Sequence, residues 1–230
     1  MDKGQIIFRL INTEYYEEML NCVPHREFYD LSIVYYELEQ DTKIATLMSH
    51  QVVDKLNLSE QELYELAMAN TKELCPPSVK RMSEALKESG EEIEDELSEK
   101  EDIYIITNEY NQFGAVSILY EGTLDKVAQI VGTDLYLLPS SVHEFLAITV
   151  NEQLPLDELQ KLVCYVNMTE VEPEERLSNQ VYHYDMTTKE ITQATHGQYV
   201  FQDSVKDKWL DKLDEIASPD GDMQIGMQMI

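Results

Sequence analysis

The sequence predicts an α+β fold, with antiparallel-rich sheets, helices packed on one face and two lobes. Three observations lead there. Apolar residues alternate with period two in several short runs, others recur at helical spacing, and pairs of strand-like runs alternate with single helices. A block of like charge at 91–102 divides the pattern. Read this way, residues 1–90 form an N-terminal α+β lobe, 91–102 an acidic linker, 103–195 a C-terminal α+β lobe, and 196–230 a helical tail with a disordered end.

Ile6–Ile11 reads as a strand interrupted by Arg9, and a short helical stretch follows at Glu14–Leu20 before Pro24 breaks the pattern. Tyr29, Leu31, Ile33 and Tyr35 alternate with Asp30, Ser32, Val34 and Tyr36, a strand with one apolar face. Gln40-Asp41-Thr42 reads as a hairpin turn and Ile44–Met48 as the returning strand. Ser59-Glu60-Gln61-Glu62 has the form of a capping box, in which a hydroxyl takes one orphan amide and a carboxylate three residues on takes another. Leu63, Leu66, Ala67 and Leu74 then recur at helical spacing. Pro76-Pro77 ends that helix, Ser78 can cap another with Val79, Met82, Ala85 and Leu86 inward, and Gly90 stops it.

Eight of the twelve residues in 91–102, EEIEDELSEKED, are acidic. Such a block repels itself and stays solvated, which reads as a flexible connection. The alternative is a frayed extension of the preceding helix, since Glu and Leu are good helix formers. Beyond it, the order β-β-α-β-β-α-β-β is expected. Ile103–Ile106 and Ala115–Tyr120 are strands around a turn at Asn111–Gly114. A helix follows from Thr123 to Val131, closed by Gly132. Asp134–Leu138 and Val142–Thr149 are strands around Pro139-Ser140-Ser141. Leu156, Leu159, Leu162, Val163 and Val166 mark a helix, with Pro155 suited to its first turn. Gln180–Tyr184 and Lys189–Thr192 form a last hairpin. In the tail, Ser204 can cap a helix carrying Val205, Trp209, Leu210, Leu213 and Ile216.

The charge bounds the partners. Forty-five acidic residues against seventeen basic ones give −28. Such a surface repels nucleic acid, whose binding rests on neutralised phosphates, and anionic membranes, and attracts a basic protein or a divalent cation. Solubility alone would also account for it. Cys22, Cys75 and Cys164 are odd in number and lack short metal or redox spacing, which suits a reducing cytosol. No secretion signal is read at the N-terminus, and no apolar run approaches the roughly 18 residues of a membrane span. A cytoplasmic protein is therefore expected.

Glycine-rich dinucleotide and phosphate loops, HExxH, CxxC and GxSxG are absent from the sequence, and no cofactor is expected. The most enzyme-like stretch is Leu138-Pro139-Ser140-Ser141-Val142-His143-Glu144. A nucleophile needs a base within hydrogen-bond reach, so Ser140, Ser141, His143 and Glu144 are the catalytic candidates. On a strand, however, Ser141 and His143 stand about 6.6 Å apart on one face, and a plain Ser/Pro turn explains the same residues. No metal site is expected. His183 and Asp185, two apart in a strand, are at most two ligands of one. The candidate binding residues are Asn179, Gln180 and Tyr182, with Trp209 in the tail. Tyr15, Tyr16, Tyr29, Tyr35 and Tyr36 cluster near the N-terminus, and strand packing is favoured over an interface as their explanation.

Several spaced segments carry a resemblance. Asn12-Thr13-Glu14-Tyr15, Val23-Pro24-His25, Phe28–Tyr36, Glu62–Thr71, Leu138–Glu144 and Arg176-Leu177-Ser178-Asn179-Gln180-Val181-Tyr182 resemble an uncharacterised bacterial family of domains of unknown function over most of residues 6–192. The Leu-Pro-Ser-Ser-Val-His-Glu stretch also resembles a second uncharacterised bacterial family. The first resemblance implies a Gram-positive, cytoplasmic accessory protein, often carried near mobile-element genes, and it supplies no reaction. Two functional readings follow. One is a non-enzymatic acidic protein that engages a basic protein partner. The alternative is a small hydrolase using Ser140 or Ser141 with His143 and Glu144.

Overall fold

The computed structural model describes residues 2–39, 44–90, 103–150 and 155–197. In chain order its elements are β1 (Ile6–Asn12), α1 (Glu17–Leu20), β2 (His25–Phe28), β3 (Leu31–Leu38), β4 (Ala45–Leu47), α2 (His50–Leu56), α3 (Glu60–Leu74), β5 (Pro77–Arg81), α4 (Met82–Ser89), β6 (Tyr104–Asn108), α5 (Thr123–Val131), β7 (Leu135–Ser141), β8 (Glu144–Thr149), α6 (Leu156–Thr169), β9 (Tyr182–Tyr184) and β10 (Ile191–Gln193). Short 3-10 turns cover Lys3–Gln5, Gly114–Leu119 and Pro173–Glu175.

Two antiparallel sheets make the α+β architecture that the sequence predicts. In the first, β3 is central. β1 pairs along one side of it, while β2 and β4 share the other. The second sheet runs β10-β9-β7-β8-β6-β5. Its edge strand β5 comes from before the acidic segment and pairs with β6 from beyond it. Buried side chains from Ile6 to Tyr184 join in one cluster, so residues on both sides of 91–102 share a core. The acidic segment itself, the turn expected at 40–42 and the tail expected to carry a helix with Trp209 lie outside the described residues. Among the described residues, no helix is long and apolar enough to cross a membrane.

Alternation on β1 sets up the site. Ile6, Phe8 and Leu10 enter the main core, while Ile7, Arg9 and Ile11 point to the opposite face. There Arg9 stands opposite Val34 of β3, and Ile7 opposite Tyr36. α3 locks the outer edge of β1. The Thr71 hydroxyl accepts the Phe8 N–H at 3.0 Å and donates to the Ala67 carbonyl at 2.5 Å. Leu63 and Ala67 of the same helix are buried beside it.

The capping box at the start of α3 forms as its sequence predicts. The Ser59 N–H donates to Glu62 Oε2 at 2.8 Å, and the Glu62 N–H donates to Ser59 Oγ at 3.3 Å. The Ser59 hydroxyl holds the Glu62 carboxyl below its ordinary pKa, with help from the Ser59 amide. Losing such a cap costs about 1 kcal/mol. Ser59→Ala is therefore expected to lower the unfolding free energy by that much, read as a lower denaturant midpoint at unchanged slope in a urea titration followed by far-UV circular dichroism.

Several expected elements come out differently. Tyr29 lies in the turn before β3, which is buried on both faces from Leu31 to Tyr35, and Pro139–Ser141 belongs to β7. Ser78 does not cap a helix. Pro77–Arg81 is a strand, with Val79 opposite Ile106, and α4 begins at Met82. Pro77 is tolerated there because it opens an edge strand. Nor is Ala115–Tyr120 a strand. Gly114–Leu119 is a buried 3-10 segment, and a short apolar run reads alike in either periodicity. The helix α2, which ends at Asn57 in the left-handed region (φ 54°), is an addition to the expected order.

Candidate functional site

Arg9 is the one charged side chain within the apolar run of β1, and the fold places it between two rings. Its guanidinium carbon lies 3.6 Å from the Phe113 ring centroid and 4.6 Å from that of Tyr36. Both distances suit cation–π attraction, worth about 0.5–2 kcal/mol depending on desolvation. The Arg9 side chain makes no hydrogen bond or ion pair with any described residue. Burial pulls its pKa below the ordinary arginine value, and Tyr36 and Cys75 act the other way.

Phe113 reaches Arg9 from a loop that is bound on every side. Asn108 Oδ1 accepts the Tyr110 and Gln112 N–H groups, and its Nδ2 donates to the Gln112 carbonyl. Phe113 itself has φ 52°, a strained value for a bulky residue. Its N–H donates to His143 Nδ1 at 3.1 Å. That bond makes Nδ1 the unprotonated nitrogen and leaves the ring proton on Nε2, 3.3 Å from Glu175 Oε1. His143 therefore ties the loop to the 3-10 turn at Pro173–Glu175.

Two clefts flank the Arg9–Phe113 stack. One, of about 270 Å3, is walled by Ile11, Tyr16, Met19 and Tyr36, with His143, Glu174 and Glu175 at its other side. The second, of about 170 Å3, runs toward Leu38, Thr71, Cys75 and Tyr110. The guanidinium borders both. Its sequence signal is the arginine in an apolar strand, whereas nothing in the local pattern marks Phe113 or Glu175 as its neighbours.

Ser140, Ser141, His143 and Glu144 gather at the β7–β8 turn, where Ser141 pairs with Glu144. Their side chains do not converge on the imidazole. The Ser141 hydroxyl accepts the backbone N–H of His143 at 3.1 Å. Glu144 is held above its ordinary pKa by burial, against a hydrogen bond from Ser140 and the nearby His143. The imidazole engages Phe113 and Glu175 and bonds to neither serine.

Asn179 Oδ1 accepts from Asn167 Nδ2 at 2.8 Å. Gln180 is bonded to Gln160, Thr195 and the Gly197 carbonyl. Tyr182 is buried, and its hydroxyl donates to Asp30. Trp209 lies outside the described residues. His183 Nε2 lies 3.2 Å from Asp134 Oδ2. Asp185 turns instead to the Thr187 and Thr188 amides, at 2.7 and 2.8 Å, and the Thr188 amide does most to hold its pKa below the ordinary range. Among the described residues, no group of three or more His, Cys, Asp or Glu side chains could hold a metal ion.

No curated protein and no solved structure matches the chain. A family of unknown function, DUF5688, matches residues 2–186. That span takes in both sheets up to the end of β9, the Arg9 clefts and the β7–β8 turn. The chain belongs to the DUF5688 family.

Proposed function

We propose that this is a non-enzymatic acidic accessory protein that binds a basic protein partner. The observation that carries the reading is its unneutralised charge. If every lysine and arginine paired with one carboxylate, 45 − 17 = 28 carboxylates would still lack a cationic side chain. Part of the excess falls on one face. Glu14, Glu17 and Glu18 are exposed beside α1, and Glu170, Glu172 and Glu174 are exposed after α6. The two segments adjoin where the Tyr16 hydroxyl donates to the Glu174 carbonyl at 3.2 Å. A predominantly acidic face of this kind, in which Arg176 is the basic residue bonded to the Val171 and Met168 carbonyls, raises the local concentration of a cationic partner and speeds encounter.

The hydrolase alternative draws less support from the geometry. A serine nucleophile needs the imidazole as its base, and here the ring nitrogens face Phe113 and Glu175.

The test is a pull-down with the full-length protein from its native lysate at low and high salt. A stoichiometric basic protein is expected at low salt, leaving as exposed charges are screened to within about 8 Å at physiological ionic strength. Replacing Glu14, Glu17, Glu18, Glu172 and Glu174 by glutamine is expected to weaken that complex by at least tenfold. A partner that stays bound at high salt, or that ignores these substitutions, counts against the reading.

A further inference from the structure

We infer that the cleft at Arg9 is a binding site for a small monocarboxylate with an apolar body of amino-acid size. Arginine keeps its charge under all ordinary conditions and offers five donors in a planar fork that matches a carboxylate bidentately. In this protein the fork is half-buried, stacked between Phe113 and Tyr36, and bonded to no described residue. Taking a guanidinium out of water without a counter-ion is costly. None of the carboxylates among the described residues pairs with Arg9.

The walls set the rest of the ligand. Ile11, Met19 and the Tyr16 and Tyr36 rings give an apolar surface beside the charge. Such a lining, with few convergent polar groups, is the usual composition of a small-molecule site. At about 270 Å3, the cleft is just below the roughly 300–1,000 Å3 of sites for drug-sized ligands. Glu174 and Glu175 stand in the same cleft. Their charge opposes phosphates and polycarboxylates, and leaves a single carboxylate as the anion that fits. It can also accept an ammonium group, so a free amino acid and a plain carboxylic acid share the recognised chemistry.

The site is preorganised. Phe113 is held over Arg9 by its strained backbone, by the Asn108 bonds and by the His143 ring. A ligand would then lose little binding energy to ordering the loop. The cleft shares Glu174 with the acidic face proposed above, but the inference rests on the Arg9 side chain and does not require that a basic partner bind there.

The experiment titrates three probes of matched apolar shape, L-leucine, 4-methylpentanoate and L-leucinamide, into the full-length protein. Binding is read by calorimetry and by the Arg9 Nε–Hε resonance. At least one of the two carboxylates is expected to bind in the micromolar-to-millimolar range and move that resonance, while the amide, lacking the anion, does neither. Preference for leucine identifies the amino-acid source, and preference for 4-methylpentanoate the plain acid. Arg9→Gln is expected to weaken the bound carboxylate at least tenfold. Arg9→Lys, which keeps the charge and loses the fork, should fall between. The resonance shift in the unaltered protein stands even if a variant folds poorly. Equal binding of the amide, an unmoved Arg9 resonance, or no binding of either carboxylate at 50 mM (about the weakest affinity a built site would show) overturns the inference.

Discussion

Replacing Gly114 by alanine is expected to destabilise the protein by about 3 kcal/mol, at the upper end of overpacking costs. A Cβ there would overlap Thr107 Oγ1 and stand 2.5 Å from the Asn108 nitrogen and 2.8 Å from the His143 carbonyl oxygen. Two of these three are backbone atoms, so no rotamer relieves the clash. Either β6 or the β7–β8 turn must move. The Thr107 hydroxyl donates to that same His143 carbonyl at 2.9 Å, so the displacement also strains the bond that closes the turn. For a chain of this size, about 2–4 °C of melting temperature corresponds to each kcal/mol. A fall of roughly 6–12 °C is therefore expected in a calorimetric scan. Gly90→Ala is the control. Nothing lies within 4 Å of a Cβ there, and only its φ of 92° opposes the change, at about 1–2 kcal/mol. Similar losses at the two glycines would show that the close approach at Gly114 is not what matters. Because His143 also fixes Phe113, the Gly114 variant should lose order around Arg9 even where it remains folded.

The same glycine shows where sequence reasoning stops. Ala115–Tyr120 has the composition of a strand, and an all-apolar run carries no period. What makes it a 3-10 turn is the contact of Gly114 with β6 and with a turn nearly thirty residues on. The capping box at Ser59 needs only four consecutive residues, and it forms as written. Val79 likewise has no local sign that it will pair with Ile106 across the acidic segment. At the site, Arg9 is legible as a charge in an apolar strand. Its surroundings are not, because Tyr36, Phe113 and Glu175 arrive from three other parts of the chain. The serine-histidine stretch gives the opposite lesson. Its residues are neighbours in sequence and in space, yet the His143 ring is turned to Phe113 and Glu175 and away from both serines.

Asp30→Ala is expected to cost about 3 kcal/mol, because one carboxylate ties the two sheets together. Asp30 lies in the turn between β2 and β3, and its oxygens accept from Ser178 at 2.6 Å and from Tyr182 of β9. Both donors are buried, Ser178 at 2 % exposure and Tyr182 at 0 %. Burial pushes the Tyr182 pKa up, and the Asp30 carboxylate adds to it. Hydrogen bonds to a charged group are worth about 1.5–3 kcal/mol each, and a buried hydroxyl left without its acceptor adds a desolvation penalty. The turn has other holds. Tyr29 donates to the Ile191 carbonyl at 2.7 Å, and its ring packs against Tyr182 at 6.1 Å. For that reason the loss should stay below the sum of the two bonds. Tyr182→Phe removes one donor, keeps the ring stacked on Phe28, and is expected to cost about 1–2 kcal/mol. The double variant then separates a tie from two independent contacts. Residues that share a network couple by about 0.5–3 kcal/mol, so Asp30→Ala with Tyr182→Phe should cost measurably less than the two single losses added together. Strict additivity would mean that the carboxylate and the phenol contribute separately and do not act as one tie.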